Sequence, residues 1–294
     1  MRIAFFGLPL AAVLLAADGH SIVYAAACRR GPGLRRLTRD IAPGNTWLRP
    51  AVDLPETYDR VRAAAPDLIV SWFWTRKLPA HLLDLAPTVG VHPSLLPRHR
   101  GPDPFFWAID GGDEVTGVTA HRLEAEYDTG AILGQREVRI GAGWNAWELA
   151  RRLDRPSLAL LREVAAAFRA GRPPPAIAQD PAATTVAPAP DDEDLEMNWS
   201  WTAERLERRV RAAAPWPGTW TEIGDRRVTL VRVRPTSQFP RTLVPTEAAV
   251  RPDGVAVVRA ADIALELLEG RDEDDGSLRL EDLARIVEAA RPPA

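Results

Sequence analysis

The stretch GVHPSLLPRHRG, residues 90–101, decides the fold and the candidate site of this chain. It overlaps the apolar run 88–92, which is typical of a buried strand, and it ends in the turn residue Gly101. The strand therefore delivers the imidazole of His92 to its carboxyl end, the edge at which open α/β sheets bind ligands. A carboxylate, Asp128, follows about one supersecondary unit later.

The composition bounds the class of protein around this stretch. With 294 residues, 46% of them hydrophobic, the chain can bury a sizeable core and we expect two domains. The formal net charge of -3 gives no whole-molecule attraction to nucleic acid or to an anionic membrane. A single cysteine, Cys28, excludes an internal disulfide framework and fits a reducing compartment, so we expect a cytoplasmic protein.

No run approaches the ~18 apolar residues of a membrane span, so no membrane partner is expected. The apolar start, residues 1–17, is interrupted by glycine and proline, which favours a strand, turn and helix over a secretory signal.

The first 170 residues alternate between two kinds of apolar pattern. Helical spacing at 11–17, 57–65, 80–85, 104–110 and 145–170 separates predicted strands at 2–6, 21–27, 67–73, 88–92, 114–122 and 132–140. This order predicts an α/β domain with a mostly parallel, Rossmann-like sheet. We interpret the arginine-rich segment 29–50 as a solvated surface loop, with a loop that meets a polyanion as the alternative.

The remaining residues predict a linker and a second domain. Residues 171–190 are rich in proline and alanine, and an acidic run follows at 191–196. After a predicted helix at 201–213 come five short alternating segments at 220–223, 227–234, 246–250, 255–259 and 263–268. They predict a small OB-like β-barrel. The predicted domains are 1–170 and 199–294, joined by the linker 171–198.

His92 and Asp128 are candidates for acid–base chemistry, because an imidazole exchanges protons near neutral pH and a carboxylate orients it. Alone the pair is a weak signal. Ser94 lacks the glycine-flanked elbow of a hydrolase nucleophile, and Gly7 lacks the continuation of a nucleotide-binding fingerprint. The five histidines show no metal-ligand spacing with the one cysteine, so no metal is expected.

Three runs in order resemble the formyl-tetrahydrofolate-dependent formyltransferase family: HPSLLPRHRGP from His92, GVTAHRL from Gly117 and DTGAIL from Asp128. A fourth, RRVRAAAPWPGTW from Arg208, resembles the entry to the C-terminal barrel of its methionyl-tRNA and sugar-nucleotide branches. The resemblance covers most of the chain. It implies an N-formyltransferase, in which an amine attacks the formyl carbon of 10-formyltetrahydrofolate and N10 of the folate leaves.

The resemblance also implies roles for residues. His92 matches the family's active-site histidine and Asp128 its aspartate. The predicted folate contacts are the turn residues Ser94, Leu95, Leu96 and Pro97, which suit the folate rings, together with Trp74, Thr75, Arg76, Glu124, Ala125, Glu126 and Tyr127, which align with segments that bind the pterin mainly through backbone groups.

One position departs from the family pattern, which is asparagine, any residue, histidine. Here Gly90 takes the place of the asparagine, so the amide that holds the formyl oxygen is missing. Losing one such donor typically costs about 10²-fold to 10³-fold in rate. Three interpretations stay open: an active transferase with an altered oxyanion site, a catalytically impaired folate-binding or regulatory protein, and a formyltetrahydrofolate hydrolase in which water replaces the amine.

The acceptor is predicted from charge. Beyond Trp199 the arginines and the acidic residues nearly balance, so the net positive charge of a strong tRNA-binding module is missing. The arginine clusters 205–211 and 226–234 leave a basic face as an alternative. We therefore expect a small amine or an amino sugar nucleotide as acceptor, with initiator methionyl-tRNA possible but not favoured.

Overall fold

The computed structural model describes residues 1–290. Contacts divide these residues into two compact units. Unit 1 comprises 1–104, 115–139 and 151–188, and unit 2 comprises 105–114, 140–150 and the chain from Ala189 onward. The predicted linker is thus divided between the units after Pro188. The predicted boundaries at 170 and 198 stay a prediction, because contact units and independently folding domains are different properties.

Unit 1 contains a sheet that is parallel over most of its width. Its strands are β1 (Arg2–Gly7), β2 (Ser21–Ala27), β3 (Thr46–Leu48), β4 (Leu68–Trp72), β5 (Thr88–His92), β6 (Val115–His121) and β7 (Ile132–Arg139), in the order β3-β2-β1-β4-β5-β6-β7. β1 to β5 pair in parallel, and β6 and β7 are antiparallel to their neighbours. β1, β4 and β5 are buried along nearly their whole length, as expected for parallel strands covered on both faces.

The helices that alternate with these strands are α1 (Pro9–Ala17), α2 (Leu34–Arg36), α3 (Pro55–Ala63), α4 (Ala80–Leu83), α5 (Pro104–Asp110) and α6 (Ala146–Arg169). α1 and α3 begin with a proline, whose fixed φ suits the first helical turn. The segment 29–50 is more than the surface loop that we predicted, because it contains α2, a π-helical turn (Leu37–Ile41) and the edge strand β3. These elements are too short to produce a hydrophobic period.

Unit 2 contains α7 (Asp192–Leu195), α8 (Ala203–Ala213), β8 (Thr219–Ile223), β9 (Arg226–Thr236), β10 (Ala248–Val250), β11 (Ala256–Arg259), β12 (Ala264–Arg271), β13 (Ser277–Arg279) and α9 (Leu280–Ala289). The strands form a curled antiparallel half-barrel in the order β10-β11-β12-β9-β8, with β13 paired to β12. Leu206 of α8, Leu230 of β9 and Val287 of α9 lie in one buried core.

The sequence predicted five of these strands but neither β13 nor α9. β13 has three residues, too few for an alternating pattern. The apolar spacing of Leu283, Ile286 and Val287 is typical of a helix and is the sequence signal for α9. Within residues 1–290, no helix is long and apolar enough to cross a membrane.

Candidate active site

His92 closes β5 and is buried, with 6% of its surface exposed. Its Nε2 lies 2.7 Å from the carbonyl oxygen of His99. Because a carbonyl only accepts hydrogen bonds, Nε2 carries the ring proton and donates it there. In the neutral ring Nδ1 is then a bare lone pair, 3.4 Å from Oδ2 of Asp128. Folding thus brings together the histidine and the aspartate that the sequence singled out.

Asp128 lies in the loop between β6 and β7, in the left-handed backbone region with φ 57°. Its Oδ2 accepts a hydrogen bond from the backbone N–H of Gly101 at 3.0 Å. Its backbone carbonyl accepts one from Nε2 of Gln179 at 2.7 Å, and the Oε1 of Gln179 accepts from Nη2 of Arg100 at 2.7 Å. Gln179, from the predicted linker, therefore ties the Asp128 loop to the turn that follows His92.

A second imidazole, which the sequence analysis did not place in the site, faces the same carboxylate. His121 ends β6, where it pairs directly with Gly90 of β5. Its Nε2 lies 3.6 Å from Oδ1 of Asp128, and its Nδ1 lies 2.7 Å from the carbonyl oxygen of Arg122. Its place in the site depends on the cross-strand register of β5 and β6, which local sequence patterns do not give.

The space above Gly90 is occupied by other side chains. A Cβ at this position would lie 2.5 Å from Cδ2 of Leu123 and 3.3 Å from Nε2 of His121. Protein atoms therefore fill the space that the absent side chain of Gly90 leaves, which is where the hydrolase interpretation would place the water that replaces the amine.

Burial controls the charge of both imidazoles. It lowers the pKa of His121 to about 4, although the carboxylate of Asp128 acts in the opposite direction. Burial likewise lowers the pKa of His92, again opposed by Asp128. Both rings are therefore neutral at pH 7. Among residues 1–290, no group of three or more His, Cys, Asp or Glu side chains is arranged to hold a metal ion.

The two segments predicted to bind the pterin lie side by side in unit 1, and neither contains a helix or a strand. The Nζ of Lys77, next to 74–76, lies 2.9 Å from Oε2 of Glu126 and 5.2 Å from the ring centre of Tyr127. The indole Nε1 of Trp74 is buried and has no hydrogen-bond partner among the described residues. An unpaired donor beside irregular backbone fits a flat ring with polar edges, such as a pterin.

The turn 94–97 is divided between the interior and the surface. Ser94 and Leu96 are buried, the hydroxyl of Ser94 donates to the carbonyl of Arg98 at 2.6 Å, and the N–H of Leu96 donates to Oγ1 of Thr119 at 3.0 Å. These contacts stabilise the turn itself. Leu95 and Pro97 are partly exposed, so they are the more accessible of the four residues of this turn that are predicted to contact folate. The contacts with folate stay a prediction.

Sequence comparison identifies relatives along almost the whole chain. The chain is 35% identical to the methionyl-tRNA formyltransferase of Anaeromyxobacter dehalogenans, over 92% of this chain and 93% of that protein. It is 34% identical to the methionyl-tRNA formyltransferase of Thermus thermophilus, over 97% and 96%. The formyl transferase family model matches residues 34–165, and the model of the formyl transferase C-terminal domain matches 191–287. The chain belongs to the formyl transferase family.

Solved structures share the fold of this formyl transferase. HypX from Aquifex aeolicus in complex with tetrahydrofolic acid superimposes with a TM-score of 0.68 at 21% identity, covering 98% of this chain and 47% of that one. This formyl transferase thus spans about half the length of HypX. The N-formyltransferase from Helicobacter canadensis in complex with folinic acid and dTDP-3-aminofucose superimposes with a TM-score of 0.65 at 13% identity. The match covers 91% of this chain and 98% of that one. The predicted fold class, a Rossmann-like α/β sheet followed by a small OB-like barrel domain, is confirmed.

Proposed function

We propose that this formyl transferase moves a formyl group from 10-formyltetrahydrofolate to the nitrogen of an amine, with His92 and Asp128 as the reacting protein groups. The observation that supports this is the approach of Nδ1 of His92 to Oδ2 of Asp128, 3.4 Å, at the carboxyl edge of the sheet in a chain of this family. Such distances are often loose in unliganded sites and shorten in the reacting complex.

The chain's own contribution is proton handling. When bound, the folate supplies the formyl group. As the amine nitrogen forms its new bond it must lose a proton, and the bare Nδ1 of His92 together with the carboxylate of Asp128 provides the acceptors. Proton transfer by positioned groups contributes about 10²-fold to 10⁴-fold in rate. Burial of His92 keeps bulk water from taking this proton instead.

We propose that folate lies against the segments 74–76 and 124–127 and the exposed parts of Leu95 and Pro97. The unpaired Nε1–H of Trp74 supports this placement, because a buried donor without a partner is costly in the free protein. The guanidinium of Arg76 covers the ring of Trp74 at 4.7 Å, so the indole is held in place from one side.

Gly90 favours a second candidate, a folate-binding protein with little chemistry. The missing amide is expected to cost about 10²-fold to 10³-fold in rate if nothing replaces it. We place transfer first, because His92 and Asp128 are both present and in contact.

For the acceptor we propose a small amine or an amino sugar nucleotide. Most arginines of the clusters 205–211 and 226–234 contact a carboxylate: Arg205, Arg208, Arg209, Arg211, Arg227, Arg232 and Arg234. These ion pairs neutralise the positive charge that would otherwise attract the phosphate backbone of a tRNA.

Initiator methionyl-tRNA is the second candidate acceptor. The relatives at 34–36% identity are named methionyl-tRNA formyltransferases. In addition, Arg29, Arg30, Arg35 and Arg36 are exposed just beyond β2, at the same sheet edge as His92. A basic segment there fits a polyanion.

We also propose a cytoplasmic location. The one cysteine of the sequence, Cys28, is half-buried, and burial raises the pKa of its thiol. A protonated, unreactive thiol fits a reducing compartment.

The experiment incubates the full chain with 10-formyltetrahydrofolate in three ways: without an acceptor, with the amino sugar nucleotide dTDP-3-aminofucose, and with initiator methionyl-tRNA. Tetrahydrofolate release and the mass of the product are followed in each. Release that requires an amine supports a transferase. Release without an amine indicates a hydrolase, and folate binding without release indicates the impaired protein; either overturns the proposal. Transfer to the tRNA alone overturns the proposed acceptor class. His92→Ala should abolish release, whereas the substitution of the exposed His81 of α4, His81→Ala, should not.

A further inference from the structure

Leu123 and His121 lie where a side chain at position 90 would extend. Residues 90 and 92 of β5 share a face of the sheet with residues 119 and 121 of β6, because His121 pairs with Gly90 and Thr119 pairs with His92. The nearest ring atom to a Cβ at position 90 is Nε2 of His121, at 3.3 Å. The absence of a side chain at Gly90 thus leaves this imidazole room beside the carboxylate.

The tautomers follow from the outer contacts of the two rings. Nδ1 of His121 donates to the carbonyl of Arg122, and Nε2 of His92 donates to the carbonyl of His99. In the neutral state the remaining nitrogens are both lone pairs, and both point at Asp128, at 3.4 Å and 3.6 Å. Three acceptors therefore converge without a proton between them.

We propose that His121 is a positioning residue of the transfer site, and that His92, Asp128 and His121 together take up the proton released by the acceptor amine. The proposal rests on the proposed function and deepens it. One proton placed at either contact is shared between an imidazole and the carboxylate of Asp128, which turns that long contact into an ordinary hydrogen bond, so His121 gives the proton a second place beside Asp128. His121 acts on the reaction through Asp128 by stabilising that proton.

The step balances without a further reactant. A bond forms between the amine nitrogen and the formyl carbon, and the bond from that carbon to N10 of the folate breaks. One proton leaves the amine for the three groups, and one proton passes from them to N10. Nothing is oxidised or reduced.

The charged and titratable groups around this proton are few. Asp128 approaches from the loop after β6, His92 from β5, and His99 and Arg100 from the turn after β5. Burial disfavours a proton on His121, as do a charge on His92 and, more weakly, the positive charge of Arg100, whereas Asp128 favours it. At neutral pH the three groups can therefore accept a proton, whereas at low pH they are already protonated.

The kinetic test is the pH profile of His121→Gln, which fills similar space but cannot hold a proton. We expect kcat to fall about 10²-fold, the KM for 10-formyltetrahydrofolate to stay within about twofold, and the acid limb of the kcat profile to move. His20→Gln is the matched control, since His20 is also a buried histidine but precedes β2 at the opposite sheet edge. It should leave kcat and the acid limb unchanged. A kcat for His121→Gln within twofold of wild type, or a loss of kcat with an unmoved acid limb, overturns the proposal.

A second test needs no turnover. In ¹⁵N-histidine-labelled full chain, NMR should show His121 as the Nδ1–H tautomer and His92 as the Nε2–H tautomer at pH 7. His92 should titrate in two coupled steps in wild type and in one step in His121→Gln. In Asp128→Asn both imidazoles should titrate at lower pH, because the opposing carboxylate charge is gone. Independent titration of His92 and His121, or unchanged midpoints in Asp128→Asn, overturns the proposal even if His121→Gln does not fold.

The two proposals fail in different ways. If the wild-type chain transfers formyl to an amine but His121→Gln keeps the wild-type acid limb, only the role of His121 is wrong. If no amine is formylated, the proposed function is wrong, and the NMR titration still decides whether the three groups share a proton.

Discussion

The buried Asp110 and the partly buried Asp128 are held in opposite ways. Asp110, at the end of α5 in unit 2, is 2% exposed and accepts four side-chain hydrogen bonds from Arg205 and Arg209, the longest at 3.1 Å. Asp128 in unit 1 accepts one close hydrogen bond, from the backbone of Gly101, and otherwise faces two imidazoles at 3.4 Å and 3.6 Å.

The partners determine what each carboxylate can do. Burial alone would raise the pKa of Asp110, but the hydrogen bonds from Arg205 and Arg209 outweigh it, so that the pKa is lowered. Since arginine does not lose its proton, this cluster has one charge state. Imidazoles gain and lose protons near physiological pH. The carboxylate surrounded by arginines is a structural element, and the one between histidines is suited to chemistry.

The first prediction separates the two aspartates by activity. Asp128→Asn should reduce kcat/KM about 10³-fold, because the amide keeps the shape and the contact with Gly101 but cannot stabilise a proton on an imidazole. Steady-state transfer assays measure this loss. Urea unfolding of the same variant should stay within about 1 kcal/mol of wild type. A loss of less than tenfold contradicts the role of Asp128.

The second prediction tests the structural aspartate. Asp110→Asn should lower the free energy of unfolding by about 3 kcal/mol, because it leaves the buried guanidinium of Arg209 without its counter-charge. Urea unfolding followed by tryptophan fluorescence measures this. The control is Arg208→Gln, which removes an ion pair with the exposed Glu204 and should cost less than about 1 kcal/mol. Equal effects of the two variants would refute the distinction.

The third prediction concerns pH. The pKa of His121 is about 4 in the folded chain against about 6.5 when unfolded. Between these values the unfolded chain binds a proton that the folded chain does not, so the free energy of unfolding falls as pH falls and is insensitive to this group above about pH 7. The loss from His121 between pH 7 and pH 5 should be about 2 kcal/mol. Urea unfolding of His121→Gln at several pH values should lack this part of the pH dependence. An unchanged slope of the free energy of unfolding against pH would contradict the lowered pKa of His121.

The fourth prediction probes the packing beside Asp128. Gly90→Ala should destabilise the chain by about 1–2 kcal/mol, because the added methyl group meets Leu123 at 2.5 Å. The end of a leucine side chain can move, which limits the cost. In the background of Leu123→Ala the same substitution should cost clearly less, and a double-mutant cycle of urea unfolding measures the difference. Strict additivity would show that the space above Gly90 is not filled by Leu123.

Much of the fold was accessible from local patterns. The helix at 104–110 and the strands at 21–27 and 88–92 have the predicted bounds, because their apolar residues follow the period of the element that they form. Short elements such as β3 and β13 were missed. Three residues cannot establish a period, and these strands form because a neighbouring strand offers hydrogen bonds.

The site was only partly accessible for the same reason. His92 and Asp128 were identified from motifs, and the structure brings them together. Gln179 was assigned to a linker, since nothing in its neighbourhood indicates a contact with residues 128 and 130. His121 was present in a quoted motif, but its role depends on the register between β5 and β6.

The sequence by itself determined the order of the longer strands and helices, the family and the two residues at the centre of the proposed chemistry, because hydrophobic period and short motifs are local properties. Only the tertiary structure decided that the space over Gly90 holds Leu123 and the imidazole of His121, and that two histidines share the carboxylate of Asp128. Those facts depend on pairing between strands and on burial, which no single stretch of sequence encodes.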